Sequence, residues 1–331
     1  MAIKLTTYYR SKDIPDLPGQ NTFHSKDLFV VYENTKGYTP LLIVATDGDK
    51  VMGKILAAIR KKTTSFIIPT VFKKCEVYGC GEYFCEKEES EILFGELLKH
   101  LTREALRKCF LIEFRNLGNP LVGYKHFKDN LFFAVNWLRV RNKLQTEGPI
   151  EKEFSQSRIR QIRKALKNGA EVLEAKTQEE VEKFAVMLRK IYSTHIRKHY
   201  PSIEFFHHLK DIPQNKEGKR ITSIYIVKYK NKIIGGSACA YSAENAYLWF
   251  SGGMRQTYSS VYPGVLAVWM ALKTAKEQGY EHLEFMDVGL PFKRHSYREF
   301  ILRFGGQQSS TRRWFRFKWS WLNKLFRKLY E

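Results

Sequence analysis

The chain has 331 residues, 44% of them hydrophobic, and carries 56 Lys and Arg against 34 Asp and Glu, a net charge of +22. Ordinary hydrophobic content over the length of about two domains excludes a disordered or fibrous chain, while the cationic excess predicts an anionic partner: nucleic acid, a phosphate-bearing small molecule or an anionic membrane face. The excess is uneven, 23 − 17 = +6 over residues 1–150 and 33 − 17 = +16 over 151–331, so the second half is expected to meet that partner.

In chain order, MAIKLTTYYRSKD at the start lacks the apolar stretch of a signal peptide, and five cysteines, an odd number, point to reduced thiols. The longest apolar runs, such as 264–272, are far shorter than the roughly 18 residues that span a bilayer. The expectation is a soluble, cytoplasmic protein. Residues 41–59 read as a hairpin turning at Asp47-Gly48-Asp49. Cys75, Cys80 and Cys85 have no obvious fourth partner and read as buried or idle thiols. An amphipathic helix over about 92–107 leads to a strand, LIEFRNLG (111–118), and an alternating aromatic strand, FFAVNWLRVR (132–141), closes the first half near Gly148-Pro149.

The second half opens with a basic helix over 158–168, capped by Ser155 or Ser157 and ended by Gly169. Its inner stripe is Ile159, Ile162 and Leu166; Arg158, Arg160, Arg163, Lys164 and Lys167 are placed outside or at the edges. A helix over 178–195 stops before Pro201, which cuts short any helical metal pair of His195 and His199; with His207 and His208 following, no metal site is expected. A hairpin over 224–241 turns at Lys230-Asn231. Pro263 suits the first turn of the next helix, Gly279 its end, and LEFMD (283–287) the strand after it. A charged, aromatic loop and a short amphipathic piece run to Phe304-Gly305-Gly306. From Arg312 the chain holds seven Lys/Arg and one acid, first alternating as a strand, then with helical spacing at Trp321, Leu322, Leu325, Phe326 and Leu329. Such a basic amphipathic end suits an anionic membrane surface.

The halves echo each other. Lys50-Val51-Met52-Gly53 matches Lys232-Ile233-Ile234-Gly235 at an offset of 182, and LIEFRNLG matches HLEFMDVG (282–289) at 171. The first unit is therefore 11 residues longer between these matches, with the insertion expected at 78–89. The strands at 132–141 and 314–321 form a third echo. This organisation predicts an α/β fold with mixed sheets in two tandem units, 1–148 and 149–331.

SRIRQIRKALKNGAEV (157–172), YPGVLAVWMALKTAKEQGYEHLEFMDVG (262–289) and REFILRFGG (298–306) resemble the duplicated GNAT-like fold of the Fem-type (FemABX-like) peptidyltransferases. The resemblance implies amide formation on a cell-envelope (peptidoglycan) precursor with aminoacyl-tRNA as donor, no resident cofactor, and a site in the second unit. Two departures matter. The family's Phe-Lys-x-x-Phe-Gly reads Phe300-Ile301-Leu302-Arg303-Phe304-Gly305 here, and the phosphate loop of related acetyltransferases, rich in glycine, reads Arg255 to Gly264 with Ser259, Ser260 and Tyr262 in place of glycines.

Acyl transfer to an amine requires a proton acceptor, stabilisation of a developing oxyanion and a hold on the carrier. Asp287 at a strand end is the candidate base, and Lys293 and Arg303 are the candidate oxyanion cations. Arg158, Arg160, Arg163, Lys164, Arg255 and Arg294 are candidates for binding phosphate; Tyr258, Tyr262 and Tyr297 for positioning a sugar or peptide. Asn116 stands where the second unit has Asp287, so the first unit is expected to be a scaffold and substrate wall. The alternatives are an acyl-CoA-dependent N-acyltransferase on a sugar or small amine, and a non-catalytic RNA-binding protein.

Overall fold

The computed structural model describes residues 3–61, 73–193, 200–214, 218 and 220–330. In chain order it contains β1 (Ile3–Tyr8), α1 (Lys26–Asn34), β2 (Tyr38–Asp47), β3 (Lys50–Lys61), β4 (Lys73–Tyr78), β5 (Glu82–Tyr83), α2 (Lys87–Lys108), β6 (Leu111–Arg115), α3 (Tyr124–Asp129) and β7 (Phe133–Lys143). It continues with α4 (Gln156–Lys167), β8 (Glu171–Glu174), α5 (Gln178–Ser193), α6 (Ile203–Lys210), β9 (Thr222–Tyr229), β10 (Lys232–Ser242), β11 (Asn245–Gly253), α7 (Pro263–Glu277), β12 (His282–Phe285), α8 (Ser296–Leu302), β13 (Gln307–Phe317) and α9 (Ser320–Tyr330). The fold is mixed α/β, as the alternation of hairpins and amphipathic helices predicts.

Chain contacts define two compact units, 1–137 with 310–331 and 138–309. In unit 1 the strand order is β1-β2-β3-β4-β6-β13, with β5 beside β3. In unit 2 it is β8-β9-β10-β11-β12-β7. Both contain one parallel pair, β4 with β6 and β11 with β12, because the chain crosses over through a long helix (α2 or α7) between those strands. The expected division at 148/149 gave each aromatic strand to the half that encodes it. The pairing is crosswise: Val140–Lys143 of β7 lie antiparallel to β12, and Arg313–Phe317 of β13 antiparallel to β6.

The duplication extends to backbone irregularities. In the β2/β3 hairpin Met52 is the extra, unpaired residue, and in the β9/β10 hairpin it is Ile234, the residue 182 positions later. The inserted residues lie elsewhere than expected. Lys74 pairs with Leu111 and Asn245 with His282, so the offset of 171 already holds at β4; the insertion precedes Lys73 and is not at 78–89.

Each sheet buries one apolar face under its helix. In unit 1, Leu97, Leu98 and Leu101 of α2 meet Ile43, Ile55, Val77 and Phe114, and the Trp314 ring of β13 stacks on Phe127 at 4.6 Å. In unit 2, Leu266, Val268 and Leu272 of α7 meet Val227, Ile234, Leu248 and Phe285. The repeated Glu-Phe strands each carry one buried acid. Glu113 accepts from Arg313 at 3.1 Å and Glu284 from Arg141 at 3.1 Å, a cation from the antiparallel neighbour in both units. No described helix is long and apolar enough to cross a membrane.

Candidate active site

In unit 2 the parallel pair β11/β12 runs only from Asn245–Leu248 against His282–Phe285. Trp249 then forms a bulge on β11, since Ala238 faces Phe250 while Cys239 faces Leu248. β11 stays bonded to β10 as far as Gly253, whereas β12 ends at Phe285. The strands therefore part at the bulge. Asp287 lies two residues beyond the end of β12, in a segment anchored where Leu138 N–H donates to the Gly289 carbonyl at 3.1 Å.

Two tyrosines and a serine gather there. The Tyr297 hydroxyl, from α8, lies 3.2 Å from Ser251 Oγ on β11. Tyr192, from α5, is hydrogen-bonded to the backbone of Ser251. Burial pushes the Tyr297 phenol up to about 12, opposed by the Ser251 hydrogen bond and reinforced by the nearby Asp287 charge. Burial also raises Tyr192, with Tyr297 and Asp287 adding in the same direction. Both phenols are thus neutral donors at neutral pH beside a half-buried carboxylate. Sequence reasoning selected Asp287 and Tyr297 but missed Tyr192 and Ser251. The available signals were Tyr192 in the last turn of an amphipathic helix and the Phe250-Ser251-Gly252-Gly253 strand end, both of which read equally well as packing.

α8 is fixed from below and behind. His295 Nδ1 accepts from Arg298 N–H at 3.3 Å and caps the helix; the Arg298 guanidinium donates to the Leu290 and Lys293 carbonyls at 2.9 and 2.7 Å, closing the preceding loop. Ile301, where the Fem-type pattern has lysine, points into the core and is fully buried. Any cation acting here comes from another position.

That position is a cluster of arginines. Arg158, expected on the outside of α4, is instead 4% exposed. Its guanidinium lies over Phe300 and Phe304, 4.3 and 5.0 Å from the ring centroids, and donates to the Phe300 carbonyl at 2.9 Å and to Gln161 at 2.6 Å. α4 is rotated accordingly, leaving Leu166 exposed. Burial brings Arg158 down to about 10, and the charges of Arg303 and Arg255 push the same way. Arg158 Nε is buried with no hydrogen-bond partner, and no described carboxylate pairs with Arg158, Arg255 or Arg303. Arg255 and Arg303 are exposed near Arg158, and although Glu299 also feels the Arg303 charge, the neighbourhood is net cationic and favours an anion.

The remaining candidates are dispersed. Arg160, Arg163 and Lys164 project from the exposed side of α4, with no acidic partner among the described residues. Lys293 and Arg294 are exposed in the loop before α8, where Arg294 Nε pairs with Glu299 at 2.9 Å. Tyr258 packs edge-on against Tyr229, and Tyr262 caps α7 with φ 47°. The glycines that bring backbone to the start of α7 lie on strands: a Cβ at Gly253 would strike the Gly264 nitrogen, and one at Gly235 would meet Pro263 at 3.0 Å. Unit 1 uses Asn116 differently, its side chain closing a turn by accepting from Gly118 N–H at 2.8 Å and donating to the Asn119 carbonyl at 3.0 Å. Among the described residues no three metal-capable side chains gather; His195 and His199 lie outside them.

Comparison with known proteins bears on the fold. Residues 156–294 match the acetyltransferase (GNAT) domain family. The chain is similar in fold to FemX, at TM-score 0.63 and 12% identity over 94% of this chain and 95% of that one. It is similar also to a tandem GNAT protein from the clavulanic acid biosynthesis pathway (TM-score 0.54, 10% identity, 96% and 99% covered). A third likeness is to L-PGS from Bacillus licheniformis (0.51, 12%, 83% and 86%). No curated protein sequence matches the chain. Residues 156–294 of the second unit thus match a GNAT domain, and the chain as a whole is similar in fold to FemX and to a tandem GNAT protein.

Proposed function

We propose that unit 2 forms amides by transferring an acyl or aminoacyl group to an amine. The observation that carries this reading is the meeting of Asp287 with two neutral phenols where β11 and β12 part, within a chain whose residues 156–294 match a GNAT domain. The amine nitrogen attacks the donor carbonyl, a C–N bond forms, and the C–O bond of an aminoacyl ester or the C–S bond of a thioester breaks. Asp287 accepts the proton the amine loses, and the Tyr297 hydroxyl, protonated up to about pH 12, hydrogen-bonds the oxygen or sulfur on which charge develops. Lys293 and Arg303 offset that charge from the rim. Arg158, Arg255 and Arg303 hold a phosphate of the donor.

The donor reading supported by the likeness to FemX and by the exposed cations of α4 is charged tRNA, a co-substrate rather than a resident cofactor, with a nucleotide- or lipid-linked envelope precursor as the amine. Unit 1, with Asn116 committed to a turn, acts as a scaffold. The second reading, an acyl-CoA-dependent N-acyltransferase on a sugar or small amine, is supported by the GNAT match. The experiment is a transfer assay by mass spectrometry, with charged tRNA or CoA thioesters as donor and a nucleotide-linked muropeptide as acceptor. Replacing Asp287 by Asn is expected to lower the rate roughly 10²–10⁴-fold without lowering Tm. Absence of product with every charged tRNA, together with saturable CoA binding, would move the donor to the second reading; full activity of Asp287→Asn would remove the base.

A further inference from the structure

α9 leaves an apolar ridge uncovered. On its inner side, Phe326 and Tyr330 stack against Phe133, and Asn323 exchanges two hydrogen bonds with the Phe317 backbone at 2.7 and 2.9 Å, clamping the helix to the end of β13. On its outer side, Trp321, Leu325 and Leu329 follow one another at four-residue intervals, 62%, 47% and 66% exposed, with Trp319 exposed just before them. Lys318, Lys324 and Lys328 are exposed around this ridge, and none has a carboxylate partner among the described residues. There is no acidic residue between Glu299 and Glu331. Arg327 points to the carbonyls of Lys128 and Phe132, between which lies Leu131, itself exposed and held at φ 61°. The uncovered apolar surface therefore continues from the helix onto the chain beside it, where Asp129 is exposed, while the residues of α9 itself carry cations and no acid.

We infer that this ridge docks unit 1 on an anionic phospholipid surface, Trp321, Leu325 and Leu329 entering the headgroup boundary while Lys318, Lys324 and Lys328 face the lipid phosphates. The choice of occupant rests on charge: the cationic excess of α9 around tryptophan and leucine complements an anionic bilayer, whereas a second copy of this ridge would bring like charges together. The inference is independent of the transfer reaction, since it concerns neither Asp287 nor the arginine cluster.

The test is co-sedimentation of the full chain with vesicles of phosphatidylglycerol and phosphatidylcholine, or of phosphatidylcholine alone. Binding is expected with the anionic vesicles, falling as salt rises. Lys324→Gln with Lys328→Gln is expected to weaken it about thirty-fold. Trp321→Ala with Leu325→Ala and Leu329→Ala is expected to abolish it with Tm unchanged, because all three side chains are exposed. Equal binding to both vesicle types, binding unaffected by these substitutions, or a dimer in sedimentation that the leucine substitutions dissolve would each overturn the inference.

Discussion

Replacing Arg303 with Gln should move stability and anion affinity in opposite directions. Arg158 is brought down to about 10, a penalty on its charged form on the order of 1–3 kcal/mol, with burial the largest cause, Arg303 next and Arg255 last. Removing the Arg303 charge relieves part of that penalty, on the order of 1 kcal/mol at most, and gives up only its attraction to the exposed Glu299. An anion contacting Arg303 would lose a charge-assisted hydrogen bond of about 1.5–3 kcal/mol, which is roughly a 10- to 100-fold loss of affinity. The assay is thermal unfolding of both proteins without ligand, then calorimetric titration with pyrophosphate and with CoA. The expected result is an unchanged or slightly higher Tm with at least tenfold weaker binding. A lower Tm with unaltered pyrophosphate affinity would refute the reasoning, since Arg303 would then be a structural cation.

His24 is fully buried and pushed down to about 3, chiefly by burial and then by the Lys54 charge. Below pH 6.5 the unfolded imidazole takes up a proton that the folded one refuses until about pH 3, so stability falls as pH drops through that window. Between pH 7.5 and 4.5 the loss from this group is roughly 3 kcal/mol in urea unfolding, and His24→Gln should remove that increment. Ile301→Lys restores the lysine of the Fem-type pattern but places an ammonium in the core; a 3-unit pKa depression corresponds to a loss of about 4 kcal/mol, visible as a lower Tm, and no gain in transfer is expected. A fragment of residues 149–331 omits the β7 residues paired with β12 and should sediment as aggregate, whereas 138–309 should remain monomeric.

Most of the architecture is legible locally. Asp-Gly and Asn turns between apolar runs specify the hairpins, and Pro263 and Gly279 bracket α7 to within two residues. What is illegible depends on distant partners. β7 and β13 are both alternating aromatic strands, and nothing in either names the sheet it joins. Arg158 reads as a solvated cation until Phe300 and Phe304, over 140 residues away, supply the rings it covers. Asp287 and Tyr297 were identifiable by chemistry and position; Tyr192 and Ser251 join them only because a bulge at Trp249 parts two strands.

The crosswise strand pairing also sets a timetable. β6 emerges early in synthesis, but its antiparallel neighbour β13 follows about 200 residues later, and with it Trp314, which fills the place beside Phe127. At roughly 5–20 residues per second, unit 1 waits about 10–40 s with one sheet edge and part of its core open. Unit 2 has no such delay, because β7 is already made when β12 appears. The half translated first is therefore the half completed last, and during that interval its exposed edge is the chain's main opportunity to pair with something else.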